Sequence, residues 1–379
     1  YTSMSNYSGG GAIAILYADS AMISGNTIAA SEAQSGGAVY LHQSDATITG
    51  NRITGSFPNP DYSGDKFGGG IYANHSNINM SGNYIAENTG YTDGAGVYAY
   101  FSPVTMSGDT LANNSCSSEG GGICCKYGSM NASGCRITGN SSDFMGGGVY
   151  FKSDNCNISR SLMARNEAGF LGGGFFADSL SGTISNNNFD RNSTTTDGGN
   201  IFVMSQTGLE FKNNIVSYGS INGAYFNSTA NLTCQYNNFY GNTPNDVISL
   251  TPDSTNISMD PYYTDTLAMD YRLALHSVSI DAGDPSGSAD PDGSRADQGM
   301  YGGPGAEMLR PDYVQNITAS AVGDTTIQVG WDELSGDIDF YAVYGSTGAG
   351  FIPGETSYLG SVAAGSSTYQ HHPVDTCWY

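Results

Sequence analysis

A Gly68-Gly69-Gly70-Ile71-Tyr72 segment recurs down the chain, and its fixed period constrains the fold more than any other feature. Copies stand at Gly94-Ala95-Gly96-Val97-Tyr98, Gly120-Gly121-Gly122-Ile123, Gly146-Gly147-Gly148-Val149-Tyr150, Gly172-Gly173-Gly174-Phe175-Phe176 and Gly198-Gly199-Asn200-Ile201-Phe202. The branched or aromatic residue after the glycines falls at 71, 97, 123, 149, 175 and 201, a spacing of 26 each time. Upstream copies place it at Ile13 and Val39. The interval from 39 to 71 is 32, which predicts a six-residue insertion around Phe57-Pro58-Asn59-Pro60-Asp61-Tyr62.

Within each copy the apolar residues alternate, the period of a strand and not of a helix. Val39 and Leu41, Ile71 and Ala73, Val97 and Ala99, Ile123 and Cys125, Val149 and Phe151, and Ile201 and Val203 should point inward from a first strand. A second strand supplies Ile48, Met80, Met106, Ile158 and Ile184. A third supplies Ile53, Ile85, Leu111, Ile137, Met163, Phe189 and Ile215. Three short strands per repeat, separated by Gly, Ser and Asn turns, describe one coil of a parallel β-helix. Roughly nine such coils, stacked at about 4.8 Å, would make a rod on the order of 45 Å long. Each sequence column then becomes a physical ladder. Gly68, Gly94, Gly120, Gly146, Gly172 and Gly198 mark a turn that a Cβ would obstruct. Asn88, Asn114, Asn140, Asn166 and Asn192 form a column whose amides can hydrogen-bond from coil to coil.

Composition supports an ordered array: 53 glycines and only 12% charged residues, with Ile, Val and Tyr punctuating the polar stretches too regularly for disorder. The net charge of −23 argues against nucleic acid or an anionic membrane surface as partner. No run of eighteen apolar residues suits a membrane span. The chain opens at Tyr1 almost inside a repeat, which points to a mature product whose signal was removed. Seven cysteines, Cys116, Cys124, Cys125, Cys135, Cys156, Cys234 and Cys377, are odd in number and lack metal-ligand spacing. Buried thiols are the simple reading, and a local disulfide within 116–156 is the sharper one.

The Gly-Gly-Ala/Gly-Ile/Val motif, paired with an apolar-x-x-Asn motif, resembles the repeats of bacterial polymorphic outer-membrane proteins and related secreted right-handed β-helix proteins. Gly36-Gly37-Ala38-Val39 and Phe189-Asp190-Arg191-Asn192 are close copies. The resemblance implies an extracellular or cell-surface location. From Gly219 the period loosens. Asp260-Pro261, Asp270-Tyr271-Arg272-Leu273, Ser279-Ile280-Asp281-Ala282-Gly283-Asp284-Pro285 and Asp297-Gln298-Gly299-Met300-Tyr301-Gly302-Gly303 resemble the closing segment of secreted bacterial β-helix proteins. Beyond it, Ile317-Thr318-Ala319, Ile327-Gln328-Val329-Gly330-Trp331 and Phe340-Tyr341-Ala342-Val343-Tyr344 resemble the early strands of a fibronectin type III domain. The 69 residues from Pro311 are fewer than the usual ~100 for such a sandwich.

The expected architecture is therefore all-β. It comprises repeats over residues 1–258, final coils and a C-terminal cap over 259–304, a linker at 305–310 and a partial fibronectin type III-like module over 311–379. The whole is a right-handed parallel β-helix of about nine to eleven coils followed by a β-sandwich module.

Alternation turns Tyr40, Tyr72, Tyr98, Tyr150, Phe176 and Phe202 outward in one column that only Cys124 interrupts. This is either a self-stacking ladder that stiffens one face or a contact strip for sugar rings or a protein. Lys126, Lys152 and Asp178 share another outward column, and Asp93 and Glu119 a third, more simply coil-to-coil pairing than a catalytic centre. Asp284, Asp290, Asp292 and Asp297 supply hard oxygen ligands suited to calcium, the one cofactor the sequence suggests, with a plain turn segment as the alternative. Asn192-Ser193-Thr194 and Asn227-Ser228-Thr229 match glycosylation acceptors at a frequency this composition explains by chance.

Together these features suggest an extracellular structural or adhesive protein and no enzyme. Self-association into filaments would follow from two features, the open edge of an uncapped first coil and a terminal module short of strands that a neighbouring copy would complete. The alternative is a polysaccharide-binding protein, lyase or hydrolase that works through the aromatic column.

Overall fold

The computed structural model describes residues 10–59, 61, 66–274, 276–291 and 293–305, and the strand segments 318–321, 326–331, 340–344, 358–363 and 368–371. The chain forms two compact units. One comprises Tyr1–Pro261 with Val278–Ala306, and the other comprises Tyr262–Ser277 with Glu307–Tyr379.

The first unit is a parallel β-solenoid of about nine turns, as the repeat requires. Its first sheet has ten strands, from Ile13–Leu16 to Val247–Ile248. The second has nine, from Ala21–Ser24 to Leu232–Gln235, and the third has nine, from Thr27–Ala29 to Asn238–Tyr240. Equivalent residues pair coil to coil: Val39 with Ile71, Ile71 with Val97, Val97 with Ile123 and Ile123 with Val149. Inside, one continuous core runs the length of the array, and Ile48, Ile53, Ile71, Ile85, Leu111, Ile137 and Phe151 are fully buried.

Two details of the register differ from the sequence expectation. Phe57–Pro58 is a regular strand of its coil, paired with Glu32–Ala33, and Asn59 still donates to the Ala33 carbonyl, so the insertion begins only after Asn59. In the third sheet Ile215 pairs with Asn188, and Val216 takes the core column below Phe189. The cause is an irregularity between Leu180 and Ser181, which lengthens that coil by one residue and turns the neighbouring side chain inward.

Four turns per coil carry residues at positive φ, as at Gly94, Phe101, Gly108 and Asn113. Glycine fills many of them, including Gly68, Gly94 and Gly120 before the first strand and Gly82, Gly108 and Gly134 before the third. After two of these turns a polar side chain points inward and satisfies the turn's backbone. Asn88, Asn114, Asn140, Asn166 and Asn192 form one such ladder. The Asn114 carboxamide oxygen accepts from both the backbone N–H and the side-chain amide of Asn88 at 3.0 Å, while its own amide donates to Ile85 and Asn140. A second ladder, not seen in the sequence, follows the second sheet: Asn51, Asn83, Asp109, Cys135, Ser161, Asn187, Asn214, Asn237 and Asn256.

Residues 278–305 do not plug the end of the array. Gln298 donates to the Tyr236 carbonyl, Gly299 to that of Asn213, and Asn186 to that of Asp297, while Gly305 lies against the Arg160 guanidinium. Residues 160, 186, 213 and 236 are the same turn position in four successive coils, so this segment is a strap running back along the flank. The expected cap is thereby corrected. It is also interrupted, because 262–277, with its antiparallel pair Tyr263–Asp265 and Asp270–Leu273, belongs to the second unit.

In the second unit Thr318–Ala321, Ile327–Gly330 and Thr368–His371 make a three-stranded antiparallel sheet, and Phe340–Tyr344 pairs with Tyr358–Ala363. These antiparallel sheets suit a small β module.

Candidate functional surface

Alternation in the first sheet does turn Tyr40, Tyr72, Tyr98, Tyr150, Phe176 and Phe202 away from the main core, but it does not expose them. Tyr98 and Phe176 are 3% and 2% accessible, and only Tyr72 is half-buried. The corner before each glycine turn folds over the column. Glu119, Met145, Leu171 and Asp197 bridge one another from coil to coil, and Phe67, Met145 and Leu171 pack with the aromatics into a second apolar cluster. Tyr40 and Tyr72 stack at 5.1 Å, Tyr150 and Phe176 at 5.2 Å, and Phe67 lies at 4.5 Å on Tyr98. Burial pushes the Tyr72 phenol up to about 12. The column is a packed layer and offers a ligand little area.

The charged columns beside it close on themselves. Lys126 Nζ lies 2.8 Å from Asp93 and 2.7 Å from Glu119, and Lys152 lies 2.7 Å from Asp178. Burial alone would lower the Lys126 ammonium, but Cys124 beside it and the hydrogen bonds to both carboxylates raise it overall, so it stays charged. Asp93, Glu119 and Cys124 bring their ligating atoms within 4.8 Å of one another, and the ammonium that bridges the carboxylates already balances them. The six described cysteines are all free and buried. Burial pushes the Cys116, Cys125, Cys135 and Cys234 thiols up to about 12, so they are unreactive core groups and no disulfide joins 116–156. Cys377 lies outside the described residues.

The acidic run sits in the strap. Asp290 accepts backbone N–H groups from Asp297 and Gly303, Asp297 accepts from Asp281, and Asp284 accepts from Ser286 and faces Lys212 at 3.4 Å. Burial would raise the Asp284 carboxyl, but the Ser286 hydroxyl and N–H and Lys212 hold it below the usual range. These are turn-forming roles. Asp292 lies outside the described residues.

What the sequence reading passed over is an exposed aromatic ridge at the first turn. His75, Phe101 and Tyr127 occupy one position in three successive coils, all exposed and all at positive φ, with values of 51, 47 and 60°. Rings stack at 5.0 Å both from His75 to Phe101 and from Phe101 to Tyr127, and Tyr100 packs edge-on against the last two. The signal was present as a 26-residue column of rings. It lay in a turn, where an alternation pattern gives no orientation.

Residues 2–141 match the family model described as right-handed beta helix region. No curated protein and no solved structure matches the chain. The coil geometry and the matched segment agree, and the fold of the repeat unit is a right-handed parallel β-helix.

Proposed function

We propose that this chain is an extracellular structural or adhesive rod whose regular surface, and not a catalytic cleft, meets its partner. The observation that carries the reading is the closure of Lys126 with Asp93 and Glu119, and of Lys152 with Asp178. Hydrolysis or elimination of a glycan needs carboxylates or a base free to exchange protons with substrate, and these groups are spent on holding coil to coil. The packed aromatic layer supports the same reading, since it stiffens the face that a binding cleft would use. Calcium in the strap would be an addition, because Asp290 and Asp297 already satisfy backbone N–H groups.

Self-association is the finer form of this proposal. Among the described residues, Ile13–Leu16 and Thr318–Ala321 each pair on one side only, and a strand from a second copy could extend either sheet.

The test is incubation of the full chain with a panel of neutral and acidic polysaccharides, together with negative-stain electron microscopy. Rods or filaments with no new reducing or unsaturated chain ends are expected. Release of oligosaccharides would overturn the proposal.

A further inference from the structure

Next to the aromatic ridge the second sheet presents a flat outer face of unusual uniformity. From Thr47–Thr49 through Thr183–Ser185, six successive strands place two side chains outward each, and every one is Thr, Ser or Asn. No ionisable residue occupies those positions in a chain of net charge −23. The Arg160 guanidinium reaches this face and donates to Ser133 at 2.8 Å. Hydroxyls and amides also join coil to coil, with Thr49 to Ser81 at 2.8 Å and Asn157 to Asn131 at 2.9 Å, so the array is ordered before any ligand arrives. The grid repeats at about 4.8 Å along the rod and about 6.8 Å across it.

The ridge borders this grid directly. Two residues separate Phe101 from Val104, the first residue of the strand that carries Thr105, and the same holds for Tyr127 and Met130, which opens Asn131's strand. At positive φ an aromatic residue costs about 1–2 kcal/mol relative to glycine. Glycine fills the equivalent turn before the third strand at Gly82, Gly108 and Gly134, yet the first turn keeps exposed rings at Tyr17, His75, Phe101 and Tyr127. Nothing in the packing of the main core requires them.

We infer that this corner, His75, Phe101 and Tyr127 above Asn79, Thr105 and Asn131, binds an extended neutral polysaccharide. The chemistry fits in three respects. Aromatic rings take the C–H faces of sugars. Amides and hydroxyls, each both donor and acceptor, pair with sugar hydroxyls. A repeating floor of neutral side chains suits a repeating, uncharged polymer and offers an anionic one little beyond Arg160 to pair with. The inference rests on the rod reading above and names the partner of its surface.

The experiment measures retention of the full chain on insoluble cellulose, chitin and a neutral β-glucan, at low and high salt, beside Phe101→Gly/Tyr127→Gly and Thr105→Asp/Asn131→Asp variants, with an immobilised acidic polysaccharide and ice-crystal shaping as controls. Wild type should be retained on at least one, with little salt dependence. Each double variant should lose about tenfold in affinity. The glycine pair relieves backbone strain, so its melting temperature should hold or rise, which separates lost binding from lost fold. Three results would overturn the inference: no retention of wild type, retention unchanged in both variants, or binding only to acidic polysaccharides that salt abolishes. Shaping of ice crystals without glycan retention would also overturn it. Intact rods that bind nothing would refute this inference alone, whereas release of oligosaccharides would refute the rod reading while leaving the surface standing.

Discussion

Asp109 is the residue whose behaviour most directly tests the ladders. It occupies an Asn position in the second ladder, fully buried, and accepts from the Asn83 backbone and side-chain amides at 2.8 Å and from the Ser107 N–H at 3.1 Å. Burial nonetheless raises its carboxyl above the ordinary value, the three hydrogen bonds opposing this only in part. A carboxyl raised on folding binds its proton more tightly in the native state. Its contribution is therefore most favourable below the unfolded value near 3.8, and stability is lost as pH rises from there through the folded value. Asp109→Asn keeps the oxygen that accepts from Asn83, gives up the one that accepts from Ser107, and removes the ionisation. It should stabilise the protein at pH 7, and the gain should shrink as pH falls towards 4, read from urea midpoints across that range.

Elements are held by the columns, and two kinds of glycine separate cleanly. A Cβ on Gly122 would meet the Gly148 carbonyl oxygen at 2.5 Å and the Asn140 amide at 3.1 Å, so it would force two coils apart. A Cβ on Gly108, at φ 63°, would meet nothing within 4 Å. Gly122→Ala should cost about 3 kcal/mol, whereas Gly108→Asn should stay within about 1 kcal/mol of wild type by denaturant titration. Phe176→Ala, in the covered outer layer, should cost about 3 kcal/mol, comparable to a core truncation. That last value also marks where the sequence could be read and where it could not. Alternation correctly turned Phe176 off the main core, but coverage depends on Met145 and Leu171, whose 26-residue corner column also holds Glu119 and Asp197 and so shows no apolar pattern. The first Asn ladder was legible because five asparagines recur at one spacing. The second was not, because Asp109, Cys135 and Ser161 interrupt it while its geometry continues. Further on, Asn200 reaches from the glycine column to donate to Asn242 and to receive Asn192, in space that Gly219 leaves open, a repair across coils that no single column displays.

At the scale of the whole β-helix, stability should be close to additive in coils, since each coil touches only its neighbours along the stack. Deleting residues 121–146 removes one full period and joins Gly120 to Gly147. Lys152, which pairs in register with Lys126, would then stand over Asp93 and Glu119, so the buried carboxylates keep a cation. Asn166 would replace Asn140 beneath Asn114, and Tyr150 would replace Cys124 beside Tyr98, closing the single break in the aromatic layer. The shortened chain should keep the far-ultraviolet circular dichroism of a β protein, and its urea m-value should fall in proportion to the surface removed. In electron micrographs the rod should lose about 4.8 Å. Deleting thirteen residues, 121–133, would instead join Gly120 to Gly134, set the third-sheet strand Arg136–Thr138 against the first-sheet strand Val97–Tyr100, and put Asp143 at the core position of Met130. Recovery of folded protein after the longer deletion but not the shorter would show that the coil, and not chain length, is the unit of cooperativity. Equal loss in both would mean that particular coil interfaces, such as the one carrying Lys126, hold the array together in a way the repeat does not predict.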